Sequence, residues 1–158
     1  MTSSDNAEKQ FFTIDEANLR LPLVKAIVKD IVELHSDVQE RRDRLATVRR
    51  SRGDSGQDVN RMYSEEVDQI ELDILSDEKQ LNEYVSELKQ LGIEFKDPVM
   101  GLVDFPSLMD GNEVCLCWKL GEPEVQYWHE SGSGFAGRQS LLQDELSITG
   151  GPNSEEEE

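Results

Sequence analysis

No stretch of the sequence strings together the roughly 20 apolar residues that a membrane span requires. Its first ten residues, Met1 to Gln10, also lack the basic-then-apolar order of a secretory leader. A cytoplasmic protein with no membrane partner is expected. Cysteine is nearly absent, and the only two, Cys115 and Cys117, are two positions apart. On a strand such residues point the same way roughly 6.5–7 Å apart, at or beyond the span of a disulfide. Both are expected as thiols in a reducing compartment. Basic side chains are scarce, 16 against 34 acidic ones, so the net charge is −18. A surface of that sign repels phosphate backbones and anionic lipids, which disfavours nucleic acid as a whole-surface partner. Missing too are a serine nucleophile elbow, a phosphate loop, a dinucleotide fingerprint and a His-Glu-x-x-His helix, so no standard motif supplies an activity.

What is present fits one hydrophobic core. The expected organisation is a disordered N-terminus over 1–11, a helical hairpin over 12–92, a β-rich unit over 93–145 packed with it as one domain, and a disordered acidic tail over 146–158 that ends in Glu155 to Glu158. Thr13 and Glu16 have the spacing of a capping box, and Pro22 is expected to interrupt and restart the helix that follows. Apolar residues then recur as Val24, Ile27, Ile31, Leu34, Val38, Leu45 and Val48, with Arg41 out of pattern. After the polar stretch Ser51 to Gly56 the same spacing returns as Val67, Ile70, Ile74, Leu81, Tyr84, Leu88 and Leu91, with Asp77 out of pattern and Gly92 closing the helix. Two such helices pack antiparallel, like a coiled coil. Paired from the loop outward, Arg41 and Asp77 fall in neighbouring layers, where a contact between them would fix the register.

Beyond Gly92 the period changes to alternation. Ile93–Phe95, Gly101–Phe105, Glu113–Lys119 and Val125–Glu130 read as short strands between the turn signals Asp97–Pro98, Asp110–Gly111 and Gly121–Glu122–Pro123. The fold class is therefore α+β, a long two-helix hairpin followed by a small antiparallel meander. A last hairpin turning about Glu122 sets Cys115 opposite His129, Cys117 opposite Tyr127, Leu116 opposite Trp128 and Trp118 opposite Gln126. One face then carries Val114, Leu116, Trp118 and Trp128; the other carries Cys115, Cys117, Val125, Tyr127 and His129. The segment Gly132 to Arg138 is too rich in glycine to be regular, and Leu141–Leu142 is expected to dock on the core.

Four blocks in order, Gly101-Leu-Val-Asp-Phe-Pro106, Cys117-Trp-Lys-Leu-Gly-Glu122, Trp128-His-Glu130 and Gly134-Phe-Ala-Gly-Arg138, resemble the bacterial proteins grouped as domain of unknown function 2203. The resemblance runs from Phe12 to about Leu141. It implies a prokaryotic cytoplasmic protein with a helical first half, and it carries over no activity, substrate or catalytic residue.

Trp128, His129 and Glu130, followed by Phe135, Gly137 and Arg138, form the densest chemical signal. Histidine titrates near neutrality, arginine grips carboxylate or phosphate with two hydrogen bonds, and glycines let backbone N–H groups approach an anion. With Asp104, Trp118 and Glu122 these residues would line a pocket for a small anion or other ligand. The plainer alternative is that His129 and Arg138 bond to backbone carbonyls and to Asp104, Glu122 or Glu130 and lock the unit. Cys115, Cys117 and His129 on one strand face offer soft ligands for zinc or copper, one short of a closed tetrahedron. Cys117 and His129 are also the residue types of a thiol nucleophile and its base, without an evident third group.

A basic cluster, Arg41, Arg42, Arg44, Arg49, Arg50, Arg52 and Arg61, sits at the hairpin tip. It could touch RNA or an acidic partner. Against this, 22–52 holds 8 basic and 5 acidic residues while 64–91 holds 2 and 9, so the helices complement each other. The reading is a non-enzymatic binding or interaction module, with a homodimer through the helices as a further expectation from the flanking residues Val28, His35, Val59 and Val85. The alternatives are a small enzyme or a metal or ligand sensor using Cys117, His129 and Arg138, and an RNA-touching tip.

Overall fold

The computed structural model describes residues 10–51 and 57–141, the side chains of 57–60 excepted. The expected disordered stretch 1–11, all but its last two residues, the centre of the interhelical loop and the acidic tail lie outside the described residues.

Helix α1 spans Ile14–Ser51 and helix α2 spans Gln57–Gln90. The capping box forms at the start of α1: the Thr13 N–H donates to Glu16 Oε1 and the Glu16 N–H to Thr13 Oγ1, both at 3.0 Å. Pro22 does not interrupt the helix, contrary to expectation. The ring removes one backbone donor, but Leu21, Val24, Ile27 and Val28 are buried around it, and that packing holds the helix through the lapse.

The strands are β1 (Glu94–Asp97), β2 (Leu102–Met109), β3 (Asn112–Lys119), β4 (Tyr127–Glu130) and β5 (Gln139–Ser140). They pair antiparallel in chain order, which is the expected meander with one strand added at its end. The β3–β4 register matches expectation at Cys115–His129, Leu116–Trp128 and Cys117–Tyr127. It stops before Trp118–Gln126, because the chain there turns toward the helix: the Val125 N–H donates to Asn18 Oδ1 at 2.7 Å, and the Leu141 N–H donates to the Gln126 carbonyl at 2.8 Å. Val125 consequently lies in the core with Leu116 and Trp118, not on the cysteine face. A single 3-10 turn, Phe135–Gly137, breaks the irregular segment before β5.

The core divides the hairpin in two. Its sheet-proximal half packs Val24, Val28, Ile31 and Leu88 against Val103, Phe105, Leu116 and Trp118, with Leu141 docking as expected and Leu142 outside the described residues. Val28 and Val85 contribute to this packing; the side chain of Val59 lies outside the described residues. Farther out, Val38, Leu45, Ile70 and Ile74 make a second cluster between the two helices alone. Phe12 closes the sheet edge that β1 leaves open: its N–H donates to the Pro106 carbonyl at 2.7 Å, its own carbonyl accepts from Ser107 Oγ at 2.6 Å, and its ring meets Phe105 edge-on.

Candidate functional site

Alternation along the strands puts Val103, Phe105, Leu116 and Trp118 toward the helices and Asp104, Cys115, Cys117 and His129 on the other face. That outer face is polar yet covered, because the chain from Ser131 to Arg138 folds back over it. Gly132 and Gly134 adopt positive φ of 97° and 73°, which lets the backbone double back where a side chain would be strained.

Asp104 and His129 meet beneath this cover. His129 Nε2 lies 3.0 Å from Asp104 Oδ1, and each side chain is only 3% exposed. Across the ring, Nδ1 lies 2.9 Å from the Glu130 carbonyl. A carbonyl oxygen only accepts, so Nδ1 carries the hydrogen, and Nε2 and the carboxylate share one further proton between them. Both ring nitrogens are thereby engaged. Cys117 stands beside the pair, directly opposite Asp104 in the β2–β3 ladder. Burial pushes its thiol up to about 12, with the Asp104 and Glu122 carboxylates adding to the rise and the Arg138 guanidinium opposing it. Burial, followed by the Asp104 charge, raises Cys115 as well.

A second constellation lies along the same face. Arg138 grips Glu122 through Nη1–Oε2 at 2.8 Å and Nη2–Oε1 at 2.9 Å, and Nη2 also donates to the Cys117 carbonyl at 3.4 Å. Its guanidinium stands 4.0 Å from the centroid of Tyr127 and 4.6 Å from that of Phe135. Burial alone would lower the arginine, but its hydrogen bonds to Glu122 raise it instead. Glu122 in turn accepts the Lys119 N–H at 2.9 Å, while its backbone carbonyl accepts Trp118 Nε1 at 3.0 Å. Arg138 Nε is buried without a partner.

The expected pocket is therefore divided. Trp118 is wholly buried on the helix side, Trp128 packs against that same core, and Glu130 contributes its carbonyl while its side chain is exposed. Gly137 serves the turn: a Cβ there would come within 2.8 Å of Ser133 Cβ. Asp104, His129 and Phe135 do line one cleft, of about 300 Å³, together with Glu94, Lys96 and Cys115. Glu94 and Lys96 are residues that sequence reasoning missed. Their signal was alternation: Glu94 pairs with Asp104 across β1–β2 and so shares its face. Lys96 bonds to Glu94 at 3.2 Å, which raises the amine. Among the described residues, the donor group close enough to hold an ion is Asp104, Cys117 and His129; Cys115 lies outside it.

Four of the seven tip arginines are matched across the hairpin, while Arg50 bonds to Thr47 within α1 and Arg52 lies outside the described residues. Arg41 bonds to Asp77, Arg42 to Glu78, Arg44 to Glu66 and Arg49 to Glu71, each across to α2. No helix among the described residues is long and apolar enough to cross a membrane.

Comparison with curated proteins and with solved structures finds no match. The conserved-family comparison matches residues 10–141, which include both helices, the whole sheet and every side chain of the cleft. The chain belongs to the family described as uncharacterized conserved protein DUF2203.

Proposed function

We propose that the protein is a non-enzymatic binding module of the cytoplasm, bacterial as the family resemblance implies, that takes a small polar molecule into the cleft on the outer face of the sheet. The observation that carries this reading is the floor of the cleft. Asp104 and His129 are almost wholly buried, yet both line an opening of about 300 Å³ whose rim carries Lys96, Glu94 and Phe135. That volume suits a small metabolite, and the lining mixes an aromatic ring, a thiol and both signs of charge. Arg138 is held by Glu122, so an anion would draw on Lys96 and backbone groups and not on the guanidinium.

Thiol catalysis finds less support. A nucleophilic cysteine needs a thiolate and a base with a free nitrogen. Cys117 retains its proton far above neutrality, and both nitrogens of His129 are already bonded.

The test is a thermal-shift screen of small polar molecules in chelator, followed by backbone NMR of each hit. Binding in the cleft moves the amide signals of Lys96, Cys115 and the 131–135 segment. Hits that move only other amides, or a screen with none, would sink this reading.

Self-association through the hairpin is a second reading, favoured by one groove. Leu45, Ala46, Ile74 and Leu75 line about 500 Å³ between Arg42 and Arg49 of α1 and Glu71 of α2, and Leu72 and Leu75 are more than half exposed. A second copy seated on this groove would bury these leucines. Light scattering at high concentration decides it: a mass of 18.0 kDa is the monomer.

A further inference from the structure

Three adjacent strands deliver three unlike donor atoms to one point under the cleft. Asp104 of β2 supplies a carboxylate oxygen, Cys117 of β3 a sulfur and His129 of β4 an imidazole nitrogen, all within 4.8 Å of one another and all buried. The ladder explains the convergence. Asp104 and Cys117 are direct cross-strand partners, and the His129 ring reaches from β4 past β3 to bring Nε2 within 3.0 Å of Asp104 Oδ1.

The far side of the ring is held by the backbone. The Glu130 carbonyl holds Nδ1 as the N–H, so the lone pair of Nε2 points at the carboxylate. A backbone carbonyl in that position is the arrangement that orients histidines toward metal ions. Two lone pairs 3.0 Å apart in a buried site require a cation between them, whether a proton or a metal.

We propose that Asp104, Cys117 and His129 form a site for a zinc-class divalent cation, with its fourth position open to the cleft. A mixed oxygen, nitrogen and sulfur set suits such a borderline-soft ion, whereas calcium and magnesium take oxygen ligands. Entry of the ion displaces the Cys117 thiol proton and the proton shared by the dyad, both released to solvent. The cleft reaches Asp104 and His129, which gives the ion a path and leaves room for one exogenous ligand. That ligand would carry a lone-pair donor such as a carboxylate, thiolate or imidazole. Only this last step rests on the cleft being a binding site. Cys115, although directly opposite His129 in the β3–β4 ladder, is not a ligand.

Cobalt reports the site through the sulfur, because thiolate bound to Co²⁺ gives a charge-transfer band that carboxylates do not. The full chain is stripped with chelator and titrated with Co²⁺ alone, as wild type and as Cys115→Ser, in which Cys117 is the sole thiol and the proposed ligands are untouched. The expected result is one ion per chain in both, with a charge-transfer band and a tetrahedral visible spectrum that one equivalent of zinc abolishes. The double variant Cys115→Ser/Cys117→Ser loses the band. Absence of the band in wild type, or a weak octahedral spectrum typical of surface carboxylates, overturns the site. So does a band that disappears in Cys115→Ser. A cleft ligand found in chelator with no cobalt band leaves the binding module standing without its metal; a cobalt band with no organic ligand does the reverse.

Discussion

Arg41 of α1 and Asp77 of α2, 36 positions apart, join in a salt bridge at the level where the apolar seam of each helix lapses. The side chains are 38% and 21% exposed, so the pair is neither a solvated surface contact nor a dry one. Its neighbours along the seam, Val38 and Ile74, are buried. Leucine at one of the two positions leaves the other charge unpaired at a partly covered site; leucine at both continues the seam. Asp77→Leu and Arg41→Leu are each expected to cost about 1 kcal/mol, and the double variant less than the sum. Urea unfolding of the three variants measures this. Additivity within about 0.5 kcal/mol would mean that the bridge contributes nothing as a pair.

Arg138 and Glu122 fasten the covering segment to the sheet, and the planar fork is what makes the fastening. The side chains are 15% and 16% exposed, the two hydrogen bonds run in parallel, and the guanidinium lies against two rings. Lysine keeps the charge but has neither the fork nor the flat face. Arg138→Lys is therefore expected to destabilise the protein by about 1–2 kcal/mol, and Arg138→Ala by somewhat more because Glu122 is left buried without its cation. Hydrogen exchange should speed first at the Ser133, Gly137 and Arg138 amides, whose acceptors lie within the same segment or just before it. A lysine variant as stable as wild type would show that charge alone suffices.

The hairpin and the sheet register were legible in the sequence because each is written in a local period. Spacings of three and four made the seams, the two lapses fell in neighbouring layers, and strict alternation set Cys115 against His129. Where a residue answers to a distant partner the pattern fails. Val125 alternates with Tyr127, yet its N–H goes to Asn18 more than a hundred positions earlier, which turns it into the core. Pro22 carries the mark of a break, and burial of its neighbours overrides it. The site shows the same division. Cys115, Cys117 and His129 share a face as alternation requires, but the imidazole leans over β3 to Asp104, so the carboxylate joins the donor group in place of Cys115. Side-chain reach across a strand is a matter of tilt and cover, and no linear spacing encodes it.

Gly101 and Gly121 separate backbone strain from crowding. Both adopt positive φ, 70° and 107°. A Cβ at Gly101 would come within 2.8 Å of Leu120 Cβ and 3.0 Å of Val28 Cγ1, where α1 lies on the turn before β2. At Gly121 nothing lies within 4 Å. Gly121→Ala should cost about 1 kcal/mol from conformation alone. Gly101→Ala carries that cost plus the separation of helix and turn, about 3 kcal/mol in all. Thermal unfolding of the two variants tests the difference, and equal losses would mean that the helix has room to move away.

Alkaline pH should weaken the metal-free protein through Cys117. The thiol ordinarily titrates at 9.0, and in the folded chain burial pushes it up to about 12. Between those values the folded state keeps a proton that the unfolded state has released. The stability that this burial of a neutral thiol represents is complete below pH 9.0 and is lost as pH rises toward about 12. Cys115, raised in the same direction, adds to the slope. Urea midpoints in chelator at about pH 8 and about pH 10.5 should fall for wild type and fall less for Cys117→Ala, whose folded and unfolded states differ by one titrating thiol fewer. Parallel declines in the two proteins would show that the Cys117 thiol ionises in the folded chain as readily as in the unfolded one.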